Sequence, residues 1–75
     1  MMAAIPILSG RDVVRAFCNG GWQVARQRGS HIILVKAGST ATLSVPDHKE
    51  IAKSTLRSLI LAIGLTVEQF VNLLL

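Results

Sequence analysis

The sequence predicts an α+β domain: a helix, three short antiparallel strands, a second helix and a short C-terminal helix. Three observations point there. Turn-forming residues at Asn19-Gly20-Gly21, Gly29-Ser30, Ala37-Gly38-Ser39 and Gly64 divide the chain into short segments. The apolar period is helical around residue 15, alternates near residue 42 and is helical again after residue 54. Two capping signatures, Ser9 with Asp12 and Thr66 with Gln69, mark helix starts.

The first helix starts at Ser9, whose hydroxyl can accept from the free backbone amides of the first turn. Val13, Ala16 and Phe17 recur at helical spacing, with Val14 and Cys18 alongside, Cys18 expected as a small core residue. Gly20-Gly21 stops it, because glycine adopts the left-handed conformation without strain. Residues 22–28 form the first strand, with Trp22 and Val24 on one face and Gln23 and Gln27 on the other. Gly29-Ser30 turns the chain into a β-branched, apolar strand over residues 31–36. In the third strand, residues 40–45, Ala41, Leu43 and Val45 face the core while Thr40, Thr42 and Ser44 point outward. Pro46 ends it, having no amide hydrogen for a ladder.

Residues 47–53 make a polar connection. Ser54 is the expected cap of a helix whose stripe is Leu56, Leu59, Ile60 and Ile63, closed by Gly64. Thr66 opens the last helix, through Val67, Phe70, Val71 and Leu74. A three-stranded meander with helices on one face leaves its other face open. That α-β-β-β-α order is the layout of a double-stranded-RNA-binding-domain-like (dsRBD-like) fold.

At 75 residues the chain is expected to be one domain, 1–75, and 51% hydrophobic content supplies its core. That content is high for so small a domain, which points to apolar surface covered by a partner or a second copy. A single cysteine forbids an internal disulfide and fits a reducing compartment. The N-terminal MMAAIPILSGR lacks a basic region and a long apolar run, unlike a signal peptide. No apolar run approaches the ~20 residues of a membrane span. The expected location is the cytoplasm.

Net charge is +4, from eight basic and four acidic residues, which favours an anionic partner and nucleic acid first. Phe17, Trp22 and Phe70 are the only aromatics and all sit at core positions. A base-stacking platform is therefore not expected, and RNA contacts should use phosphate, sugar and shape.

The chemistry narrows by residue type. His31, His48, Cys18 and the four acids have no metal-ligand spacing, so no metal or cofactor is expected. No nucleophile elbow and no glycine-rich phosphate loop are present. Acid–base chemistry at an imidazole remains. RNA carries its own nucleophile, the 2′-hydroxyl, so cleavage needs a base, an acid and cations. Histidine can move either proton, typically for about 10²–10⁴-fold, and arginine can hold the phosphate with two parallel hydrogen bonds. The hairpin Arg26-Gln27-Arg28-Gly29-Ser30-His31 offers all of these. The plainer alternative is a turn histidine that is simply exposed.

An ordered set of motifs resembles the HicA family of toxins. These are Gly21-Trp22, Arg26 to His31, Val45-Pro46 with His48, and Thr55-Leu56-Arg57-Ser58-Leu59-Ile60 through Gly64-Leu65. The likeness runs from Ser9 to Leu65. It implies the dsRBD-like fold and a metal-independent endoribonuclease acting on mRNA. Its catalytic residue would be His31, on a turn made by Gly29 and Ser30, and a HicB-like antitoxin would cover the active surface. Arg26, Arg28, Lys36, His48 and Lys49 would be the RNA-binding cations. For His48 a second proton transfer, a phosphate contact and a loop role all stay open.

Many relatives carry polar or basic residues after this histidine, whereas here Ile32-Ile33-Leu34-Val35 follows. With Ile32 and Leu34 facing the helices, Ile33 and Val35 fall on the open face. That face and the apolar C-terminal FVNLLL suit association with a protein or a second copy. Two alternatives on the same fold therefore stand beside the nuclease: a non-catalytic RNA-binding module and a toxin-derived interaction domain.

Overall fold

A computed structural model describes residues 5–75. Residues 1–4, which begin the N-terminal stretch considered above, lie outside the described residues. The elements run α1 (Gly10–Asn19), β1 (Gln23–Arg28), β2 (His31–Val35), β3 (Thr42–Pro46), α2 (Lys53–Ala62) and α3 (Val67–Leu73). The fold is α+β and dsRBD-like, with an open antiparallel sheet in the order β1-β2-β3.

Both capping boxes form. Ser9 Oγ accepts from the Asp12 amide at 3.1 Å, and Asp12 Oδ2 accepts from the Ser9 amide at 3.4 Å. Thr66 and Gln69 repeat the arrangement at 3.1 and 2.9 Å. Helix α2 differs from expectation. It begins at Lys53 behind Ala52, which has no capping side chain, and Ser54 lies inside the first turn. The Ser54 carbonyl accepts from Ser58 Oγ at 3.0 Å, a bond within the helix. The buried Ile51, whose amide donates to Leu8 O at 2.7 Å, fixes the approach to α2 in place of a cap.

The register explains the strand faces. β2 pairs with β3 as His31 with Pro46, Ile32 with Val45, Ile33 with Ser44, Leu34 with Leu43 and Val35 with Thr42. Ile32, Leu34, Leu43 and Val45 are buried in the core, so alternate residues lie on the open face. The third strand starts two residues later than expected, at Thr42, and Ala41 is exposed. β1 departs further. Val24 pairs with Leu34 but Arg26 pairs with Ile33, a β-bulge at Ala25. The extra residue reverses the alternation, so Gln23 and Gln27 lie on opposite faces instead of sharing one. Trp22 is buried as expected, whereas Val24 on the edge strand stays exposed.

Helices cover one side of the sheet. Phe17 of α1 and Phe70 of α3 are fully buried and meet with ring centroids 5.3 Å apart at 60°. Such a tilted pair adds about 0.5–1.5 kcal/mol beyond burial. The C-terminal apolar run is largely spent here, with Leu73 and Leu74 packed against the core and only Leu75 fully outside. Cys18, expected as a core residue, is exposed, because one helical step past Phe17 turns it away from the sheet. Among the described residues no single helix is long and apolar enough to cross a membrane.

Candidate functional site

The β1–β2 hairpin turns through two residues. Gly29 has φ +58° and, among the described residues, no non-glycine residue has positive φ, which fits a type II′ turn with glycine in first place. So tight a turn pairs Arg28 directly with His31, the first residue of β2. Opposed residues share a face, and three rungs therefore cross the open side of the sheet. Arg28, His31 and Pro46 form the first; Arg26, Ile33 and Ser44 the second; Gln23, Val35 and Thr42 the third. The bulge at Ala25 is what brings both arginines to the histidine's side. An uninterrupted strand would have placed them with Val24. Ile33 is only 8% exposed although it lies outside the core cluster. Arg28, Gly29, His31, Ile33 and Ser44 line a shallow depression of about 490 Å³.

Backbone and side-chain bonds hold this end of the sheet. The Asp47 amide donates to Ser30 O at 2.6 Å, and the Gly10 amide donates to His48 O at 2.8 Å. Gln27 Nε2 donates to Gly29 O at 3.2 Å and to Asp47 Oδ2 at 3.4 Å. Asp47 Oδ1 lies 3.5 Å from Arg11 Nε. One carboxylate thus joins α1, the hairpin and the loop after β3. Sequence reasoning passed over Gln27, Asp47 and Ser44. Ser44 was recoverable by combining its outward alternation with the register, but the other two act only through long-range contacts.

The remaining candidates are spread more widely. His48 and Lys49 are exposed in the loop after β3, at the same end as His31. Lys36 follows β2 at the opposite end, roughly 16 Å along the strand by its rise. Its side chain lies against Gly21 and borders a second cavity of about 560 Å³ between the β2–β3 loop and the helices. Arg26, Arg28, Gly29, Ser30 and His31 are brought together; Lys36 is not among them.

Electrostatics reinforce the asymmetry. Among the described residues the ion pairs are Arg11 with Asp47 and Arg15 with Asp12, so Arg26 and Arg28 face solvent without carboxylate partners. Also among these residues, no three His, Cys, Asp or Glu side chains gather as a metal would require. An imidazole beside two guanidinium groups without carboxylate partners can bind a phosphodiester and move a proton to or from an adjoining oxygen.

The chain is a small α+β protein with a dsRBD-like sheet that carries two arginines and a histidine on its bare face. Within that class, residues 10–65 match the family described as HicA toxin of bacterial toxin–antitoxin systems. The chain belongs to the HicA toxin family, known as mRNA interferases. The family implies an RNA substrate and an antitoxin partner. Comparison with curated proteins and with solved structures finds no match.

Proposed function

We propose that this protein is a metal-independent endoribonuclease in which His31 transfers the proton and Arg28 and Arg26 hold the phosphate. The observation that supports this most is the bulged register that sets both guanidinium groups on the histidine's face. In the reaction, the 2′-oxygen bonds to phosphorus as its proton passes to a base, and the P–O5′ bond breaks as the leaving oxygen takes a proton. His31 serves one of these transfers. His48 and Lys49 extend the cationic edge toward the chain of the substrate, and Gly29 and Ser30 hold the turn. The site acts in the cytoplasm as part of one domain, and a HicB-like antitoxin silences it by covering the open face. Val35, 38% exposed beside Thr42 on that face, gives such a partner an apolar foothold and favours a protein-contact role as the second reading.

Incubating the purified protein with mRNA in EDTA separates the readings. Cleavage is expected. RNA retained but uncut would instead mark a binding module, and neither outcome would mark a protein-interaction domain.

RNA affinity should also fall steeply with salt. Three or four phosphate contacts on a single strand give a slope of log K against log salt of roughly −2 to −3. Arg28→Glu should flatten that slope by about one unit. An affinity indifferent to salt would rule out phosphate binding at this face.

A further inference from the structure

We infer that Ser44 and Ile33 form a nucleobase subsite beside His31, with the Ser44 hydroxyl reading the edge of one unpaired base. The inference rests on the nuclease reading for the position of the phosphate, but its own observations are separate. Ile33 and Ser44 are direct cross-strand partners, one rung from the Arg28–His31 rung. Same-face rungs are spaced by two residues, roughly 7 Å, about the step from a backbone phosphate to its own base. Both residues line the shallow depression that contains His31.

The chemistry of the two side chains is complementary. Unpaired bases in RNA are recognised by contact with their flat faces and by hydrogen bonds along their edges. Phe17, Trp22 and Phe70 are all buried, so no aromatic is free to stack on a base here. Ile33, 8% exposed, puts a small apolar floor under the depression on the bare side of the sheet. Ser44 is exposed, and among the described residues its hydroxyl has no hydrogen-bond partner. A serine hydroxyl offers one donor and one accepting oxygen at a fixed point of the rung, so it favours the base whose edge brings a matching group to that point. The phosphate would lie on Arg28 and His31, and the base on Ile33 against Ser44.

The test uses binding, so that it stands apart from catalysis. Short 2′-O-methyl RNA pentamers, which lack the free nucleophile, are varied one base at a time and titrated into the parent and Ser44→Ala proteins. The parent should discriminate among the four bases at one position by about 3- to 10-fold in Kd, the range of one net hydrogen bond. In Ser44→Ala that spread should shrink to within about twofold, while the salt dependence stays as in the parent. An unchanged spread in Ser44→Ala, or no discrimination by the parent at any position, would overturn the subsite. A parent protein that fails to cut ordinary RNA would instead remove the nuclease reading and leave this measurement intact.

Discussion

His31→Ala is expected to abolish RNA cleavage while leaving the domain folded and most RNA affinity in place. His31 is exposed at the start of β2 and belongs to no part of the core cluster. Surface substitutions of this kind usually change stability by no more than about 0.5 kcal/mol. Losing a positioned proton-transfer group costs about 10²-fold or more in rate. Arg26 and Arg28 remain on the face, so phosphate binding should persist. The measurement pairs a cleavage time course with thermal unfolding of the same preparation. A folded variant that cuts RNA at the parent's rate would eliminate His31 from the chemistry.

Gly10→Ala should do the opposite and lower stability and activity together. A Cβ built on Gly10 would sit 2.0 Å from Pro46 O and 3.0 Å from Pro46 C, both backbone atoms that cannot rotate away. Relieving the clash must lift the start of α1 from the end of β3 and stretch the Gly10–His48 hydrogen bond of 2.8 Å. Overpacking costs about 1–3 kcal/mol, and the lost bond about 0.5–1.5 kcal/mol. Domains of this size hold roughly 0.05–0.15 kcal/mol per residue, so the sum is a large share of the total. The midpoint should fall by at least roughly 6 °C, at about 4–8 °C per kcal/mol. Because Pro46 is the β3 partner of His31, cleavage should weaken even below the midpoint. A variant that melts with the parent would show that the helix start can move freely.

Local physics made much of the fold legible. Ser9 with Asp12 and Thr66 with Gln69 capped the helices they were expected to cap, since a capping box is complete within four residues. The core positions Val13, Phe17, Leu43, Leu56 and Ile60 followed from period alone. The outward Ile33 and Val35 followed from alternation once Ile32 and Leu34 were assigned inward. What alternation could not supply was the bulge at Ala25, because nothing in Gln23 to Arg28 marks which residue the partner strand will skip. The start of α2 was misplaced for a related reason: Ser54 is a good cap by type, but the buried Ile51 decides where the chain enters the helix. Phe70 was expected in the core from its period, but its partner there, Phe17, lies more than fifty residues away and no local signal pairs the two. His31 and its two arginines were identifiable as neighbours in sequence, but their common face depends on pairing.

The bulge in β1 has a bearing on solubility as well. β1 is an edge strand, and an unpaired edge can template addition of a strand from another molecule. Irregular twist and charged side chains are the usual protection against such addition. Here Arg26, Arg28 and the bulge supply both, on the same strand that forms the site. A neutral, regular β1 would therefore be a stickier strand as well as a poorer phosphate clamp. Selection against aggregation and selection for RNA contact press on the same few residues, which limits how far this strand can drift even in a copy of the protein that has stopped cutting RNA.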